Sequence, residues 1–178
     1  LIIGVDCLSR YLDLTDKSSA VLFGDGAGAV VLQGTNDDTG ISYSKTAADG
    51  TKEDLIKGDP HKRTICMNGR AVYELCMKIL PEFVEEEVKN AGLSLESIDH
   101  FIFHQANRRM IEALAKRLHL TEQKVFTNIA YYGNTSAASI PIALYGLRQT
   151  GTLQKGNTVA LIGFGAGFSW GINILKWH

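Results

Sequence analysis

The sequence predicts an α/β fold: a mostly parallel sheet covered by helices on both faces. Three observations carry this. The strand candidates are short and apolar throughout, without the polar alternation of a half-wet strand. Segments of helical period separate them in the second half of the chain. Gly and Asp punctuate both kinds of segment.

The first strand candidates are residues 1–5 (LIIGV), 20–23 (AVLF) and 27–33 (AGAVVLQ), each rich in β-formers. From Gly34 to Arg63 the chain turns polar, with Asn36, Asp37, Asp38, Gly40, Asp49, Gly50, Gly58, Asp59 and Pro60 marking turns. This stretch is the best boundary between two parts. Apolar residues then recur at Val72, Leu75, Cys76, Ile79, Leu80, Phe83, Val84 and Val88, the spacing of an amphipathic helix. Pro81 is expected to kink or divide it, Glu85-Glu86-Glu87 to form its wet face, and Gly92 to end it. Ile98 to Phe103 is a strand, and Asn107 is placed to cap the helix MIEALAKRL. A brief strand follows at 125–127, then a helix from Ser136 to Thr150 closed by Gly151. Thr158–Gly163 and Ser169–Leu175 finish the chain as strands around a glycine-rich turn. GDGAGAVVL early and GFGAGFSWGINIL late form a weak internal echo, each placing glycines before an apolar strand.

Composition sets bounds on function. The chain has 178 residues, 45% hydrophobic and 21% charged, which fits one globular domain or two small ones. Lys and Arg number 18 against 19 Asp and Glu, so a nucleic-acid binder working through a basic surface is not expected. Cys7, Cys66 and Cys76 contain no CxxC pair; each reads as a small buried hydrophobe, and no disulfide framework or metal site is indicated. No membrane span is expected, and the compartment reads as reducing and cytoplasmic. Leu1 opens directly into LIIGV with no basic n-region, so no signal peptide is expected; a natural chain starts with Met, whereas Leu1 stands in mid-strand, from which an upstream segment is expected.

The glycine loops at 24–28 and 163–167 invite a phosphate-binding reading. A phosphate cradle needs a helix N-terminus directly after the glycines, whose amides hold the anion. AVVL and SWGINIL, both strands, follow instead. Tight strand-connecting turns are therefore expected, and such a turn can still aim a backbone N–H at a reacting oxygen.

His104 stands where a strand ends, the side of an open sheet on which ligands bind. Asn134 sits in YGNTS just before a helix. Alone, the first also suits a structural histidine and the second a turn or N-cap. Together, HQANRRM, GNTSAAS and GFGAGFSWG in this order closely resemble the second half of β-ketoacyl-acyl carrier protein synthase III, a thiolase-fold condensing enzyme. FGDGAGAVVL and MNGRAVYE extend the resemblance over nearly the whole chain outside 34–63. Thiolases would place a Cys at the late glycine turn, where Ile162 and Gly163 stand. Elongating ketosynthases carry a second His in place of Asn134, and chalcone-synthase relatives lack HQAN.

The resemblance implies a thiolase-like organisation: closing strands of an N-terminal half at 1–33, a polar connection at 34–64, and a C-terminal half at 65–178. It makes His104 and Asn134 catalytic, donating hydrogen bonds to the thioester oxygen of malonyl-carrier protein as decarboxylation turns it into an enolate. Phe164 would keep the departing carboxylate in an apolar setting, and the Ala166 N–H would belong to the oxyanion hole of the acyl thioester. Asn107, Met110 and Tyr73 fall where the family lines its channel for coenzyme A and the phosphopantetheine arm. Lys17 and Ser18 replace a family Arg-Gly pair near the nucleotide. Arg109 and Arg108, extended by Lys116 and Arg117, would dock acidic acyl carrier protein. Acyl-CoA is the implied second substrate, no cofactor or metal is retained, and the complete enzyme is expected to be a homodimer. The family's nucleophilic Cys lies upstream of LIIGV, so a complementary N-terminal segment is expected to supply it.

Overall fold

The computed structural model describes all residues except Ser18, Pro60 and Lys62, so the turn expected at Pro60 and the position of Ser18 lie outside the described residues. Strand β1 (Ile2–Asp6) pairs antiparallel with β2 (Gly26–Val30), Gly4 standing opposite Gly28. These glycines let the pair lie flat on the segment that starts the last helix. A Cβ on Gly4 would fall 2.3 Å from the Ala137 carbonyl oxygen, and one on Gly28 would fall 2.9 Å from Pro141. The opposite face of the pair is bare, with Ile3 and Val5 each 59% exposed.

The apolar run at 20–23 is not a strand. It forms turns, and its one ladder contact is a parallel bridge between Phe23 and Asn134. Its backbone holds a loop rather than extending a sheet.

The polar stretch is more than a connection. It contributes the nine-residue strand β3 (Gly40–Ala48) and, after a 3₁₀ turn at Gly50–Leu55, the hairpin of β4 (Ile56–Asp59) and β5 (Thr64–Met67). Strand β3 lies at a sheet edge, so polar side chains on its outer face cost nothing. Tyr43 points inward and donates its hydroxyl proton to Glu87.

Helix α1 (Gly69–Asn90), capped by Asn68, is unbroken across Pro81 and buries Val72, Cys76, Leu80, Val84 and Val88 as expected. Glu87 departs from the expected wet face: it is 5% exposed, accepting from Tyr43 and from Asn90 Nδ2 at 3.2 Å. The Tyr43 hydroxyl holds its carboxyl below the usual range. Gly92 ends the helix at φ +75°, a conformation that favours glycine.

Strand β6 (His100–Phe103), helices α2 (Arg108–Arg117), α3 (Ile129–Tyr132) and α4 (Ser139–Gln149), and strands β7 (Thr158–Gly165) and β8 (Ser169–Lys176) follow. The expected strand at 125–127 reduces to one bridge, from Val125 to Phe101. A 3₁₀ turn, Ser136–Ala138, leads into α4.

The main sheet has the order β3-β8-β7-β6 and is mixed, which corrects the expectation of a mostly parallel sheet: only β6 and β7 run parallel. The tight turn between β7 and β8 enforces reversal, whereas the crossover through α2 to α4 allows β6 and β7 to align. Helices do cover both faces. Phe101, Phe103, Ala160, Ile162, Ile172 and Ile174 pack with α1 and α2, and Ile102 and Val159 pack with Ala143, Leu144 and Leu147 of α4. No helix of the described residues is long and apolar enough to cross a membrane.

Only one cysteine matches the buried reading. Cys7 and Cys66 are exposed, one in the turn after β1 and the other on the outlying β4–β5 hairpin. Cys76 is buried in the core, and burial pushes its thiol up to about 12.

Candidate functional site

Strand β6 is buried throughout, and the parallel ladder continues one step beyond it, His104 N–H donating to the Ile162 carbonyl at 2.7 Å. The chain then turns sharply, Ala106 N–H donating to the His104 carbonyl at 2.8 Å. Gln105, 1% exposed, locks this corner. Its Nε2 donates to the Phe103 carbonyl at 2.7 Å, and its Oε1 accepts from Thr127 Oγ1 at 2.8 Å and Asn128 N–H at 3.1 Å. Asn107 caps α2 by accepting from Arg109 N–H at 2.9 Å.

The imidazole of His104 is fixed twice. Its Nδ1 lies 2.6 Å from Ser139 Oγ, and its ring meets Phe164 edge-to-face at 5.2 Å between centroids. Neither contact supplies a charge, so burial alone pulls the imidazolium down to about 4. A pH dependence of stability follows. The unfolded chain protonates this histidine below about pH 6.5, whereas the folded chain resists until about 4, so the unfolded state binds the extra proton between those values. Stability is present at neutral pH and is lost as pH falls through that window, by up to about 2 kcal/mol between pH 7 and 5. Urea unfolding at the two pH values is expected to show this loss in the parent chain and a smaller one in His104→Gln.

Asn134 is held by the run that is not a strand. Its N–H donates to the Leu22 carbonyl at 2.8 Å, and its carbonyl accepts from Gly24 N–H at 2.9 Å. Both glycines of this clamp are needed: a Cβ on Gly24 would fall 2.3 Å from the Tyr132 carbonyl oxygen, and Gly133 takes φ +68°. The Asn134 side chain, 8% exposed, accepts through Oδ1 from Ser136 N–H at 2.9 Å. A backbone N–H needs an acceptor, so the oxygen must face Ser136 and the Nδ2 donors must point away. His104 and Asn134 are thus anchored within four residues of one another on the segment entering α4, at Ser139 and Ser136 respectively.

Phe164, near the end of β7, is part-buried between the His104 ring and Phe168. Ala166 is exposed at the hairpin turn, where its carbonyl accepts from Ser169 Oγ at 3.0 Å. Both glycine loops run into strands, β2 and β8.

The remaining sequence-derived residues are dispersed. Met110 is 5% exposed and packs in the core, a place in the interior rather than on an open channel wall, because α2 turns that face toward the sheet. Tyr73 stands exposed on α1 and Lys17 in the turn before Ser19; no hydrogen bond or ring contact joins either to His104 or Asn134 among the described residues. Arg109 is exposed, and Arg108 pairs with Glu112 at 2.7 Å across one turn of α2. Lys116 and Arg117 line a cavity of about 710 Å³ between α1 and α2 together with Glu82 and Glu85. Sequence reasoning assigned nothing to Gln105 or Ser139, although both lie inside the quoted motifs.

Known proteins resemble this arrangement closely. A family model described as 3-oxoacyl-[acyl-carrier-protein (ACP)] synthase III C terminal matches residues 88–177, and one described as 3-oxoacyl-[acyl-carrier-protein (ACP)] synthase III matches residues 1–50. Beta-ketoacyl-[acyl-carrier-protein] synthase III of Acaryochloris marina is 42% identical over 100% of this chain and 58% of its own length. The crystal structure of 3-oxoacyl-[acyl-carrier-protein] synthase III from Aquifex aeolicus superposes with a TM-score of 0.95 at 40% identity, over 98% of this chain and 56% of that one. The priming β-ketosynthase from the R1128 polyketide biosynthetic pathway follows at 0.90 and 32%, with 98% and 56% covered. The chain therefore spans a little over half the length of these relatives.

Proposed function

Because the chain belongs to the 3-oxoacyl-[acyl-carrier-protein] synthase III family, we propose that it supplies the malonyl-decarboxylation station of a condensing enzyme that initiates type II fatty acid synthesis. The observation that carries this is the shared anchoring of His104 and Asn134 at the entry to α4, with Phe164 against the imidazole. Decarboxylation of a malonyl thioester pushes an electron pair onto the thioester oxygen as CO₂ leaves. Neutral donors held in place beforehand stabilise that developing charge and gain little from the uncharged ground state. An apolar ring solvates a carboxylate poorly, which favours its departure.

The reaction would begin with acyl transfer from acyl-CoA to a cysteine. Cys76 does not suit this role, since its thiol is buried and held protonated. Cys7 and Cys66 are exposed on turns and strands remote in sequence from the His104 loop. We assign the nucleophile to a complementary N-terminal segment preceding Leu1. On this reading 1–33 closes the N-terminal half, 34–64 connects the halves while lending β3 to the second, and 65–178 is the C-terminal half. The bare face of β1 and β2 is the surface that segment would cover. Acyl carrier protein would dock on Arg109 and Arg108. The phosphopantetheine arm and coenzyme A would pass Asn107 and Tyr73, with Lys17 toward the nucleotide, while the Ala166 N–H would serve the acyl oxyanion. The complete enzyme would be a cytoplasmic homodimer with no retained cofactor.

The likeness to a priming polyketide ketosynthase supports a second reading, the same chemistry serving a different product, although its identity of 32% is below the 42% of the Acaryochloris marina relative. A module that merely binds coenzyme A or carrier protein would need neither the His104 nor the Asn134 side chain.

The test is complementation. The chain alone, given acyl-CoA and malonyl-acyl carrier protein, is expected to form no 3-oxoacyl product, and addition of the N-terminal segment is expected to start turnover. Product from the chain alone overturns the assignment of the nucleophile. An assembled pair that never releases CO₂ from malonyl-carrier protein overturns the reading itself.

A further inference from the structure

Ser139 is 2% exposed, so its hydroxyl is shut off from water and must find its partners within the protein. Among the described residues it has two. Gln105 N–H, a donor only, lies 3.2 Å from Oγ, and His104 Nδ1 lies 2.6 Å away. The first contact uses Oγ as an acceptor. The hydroxyl proton is then left with a single acceptor in reach, the lone pair of Nδ1. A neutral imidazole carries one proton, and if Nδ1 accepts, that proton sits on Nε2. The Nε2 of His104 makes no hydrogen bond among the described residues, so this N–H is free to donate to a substrate.

We propose that Ser139 is a positioning residue that fixes His104 as the Nε2–H tautomer and thereby makes its outer nitrogen a permanent donor. The other tautomer would present a bare lone pair to an oxygen gaining negative charge, which repels rather than stabilises it. The ring plane is set independently by the edge-to-face contact with Phe164, so Ser139 decides which nitrogen bears the proton while Phe164 decides where it points. The backbone of Gln105 takes part by occupying the acceptor side of the hydroxyl. The sequence hides this device, because a serine opening a helix suggests a local cap, whereas its partner lies 35 positions earlier.

The catalytic consequence rests on the decarboxylation reading; the protonation pattern does not. The chain is labelled with ¹⁵N-histidine, and ring nitrogens are observed by long-range ¹H–¹⁵N correlation, the His104 signals being identified by their loss in His104→Gln. At neutral pH the expected pattern is a protonated Nε2 and an unprotonated, hydrogen-bonded Nδ1. In Ser139→Ala the two tautomers are expected to mix, and in the protein reunited with its N-terminal segment kcat for malonyl decarboxylation falls roughly tenfold with KM unchanged. Ser139→Thr, which keeps the hydroxyl, is expected to restore both. A proton on Nδ1 of the parent chain overturns the proposal, and that spectrum decides the matter even if Ser139→Ala does not fold. A single Nε2–H form in a folded Ser139→Ala variant with unchanged rate also overturns it. The expected spectrum in an assembled protein without decarboxylase activity leaves the tautomer assignment standing and removes the proposed function.

Discussion

Replacing His104 by alanine in the reunited protein is expected to slow CO₂ release from malonyl-carrier protein by about 10²–10³-fold, the usual effect of deleting one donor to a developing oxyanion. The loss should appear in kcat rather than KM, because the donor acts on charge that exists only as the bond breaks. Asn134→Ala is expected to fall in the same range. The double variant should lose less than the product of the two, since both donors serve one oxygen. His104→Gln, which can offer an amide N–H, should lie between. The burial that draws the imidazolium down to about 4 keeps the residue a neutral donor at working pH, so the rate should stay flat from pH 8 to about 6 on account of this group. A loss below tenfold in His104→Ala, with assembly intact, would mean that the imidazole is not a principal donor.

Legibility in the sequence followed the physics of each element. Helix α1 was readable because Val72, Cys76, Leu80, Val84 and Val88 repeat with the helical period, and one proline did not outweigh that buried stripe. Strands β6, β7 and β8 were readable because both their faces are covered, but apolarity reports burial and carries no information on direction, so the sheet was expected to be mostly parallel although a tight glycine turn joins β7 to β8. Strand β3 was invisible for the opposite reason: as an edge strand it carries Ser42, Ser44, Lys45 and Thr46, and only its partner β8 reveals it. The run at 20–23 was as apolar as a strand, yet it serves to clamp the Asn134 backbone, a task that depends on residues more than a hundred positions away. The motifs that single out His104, Asn134 and Phe164 are local, and of their mutual contacts the structure shows the imidazole of His104 against the ring of Phe164. Ser139 and Gln105 act through partners that no motif displays.

Phe103→Ala is expected to cost about 3–5 kcal/mol, the range for emptying a fully buried aromatic site. Phe103 has no exposed area, stacks on Phe101 at 6.5 Å, and ends the strand from which His104 emerges. Domains of this size hold roughly 5–15 kcal/mol in total, and a chain with Ile3 and Val5 bare to solvent buries less apolar surface than its sequence could. The variant is therefore expected to keep only a marginal stability at 25 °C, read as a large fall of the urea midpoint. Ile3→Thr provides the contrast on the same instrument. Its side chain is 59% exposed and its replacement keeps the β-branch, so the isolated chain should lose no more than about 0.5 kcal/mol. The same substitution should weaken complementation by the N-terminal segment, because it places a hydroxyl on the face that segment is proposed to cover. Equal costs for Phe103→Ala and Ile3→Thr in the isolated chain would mean that the sheet between α1 and α4 is not the core that positions the site.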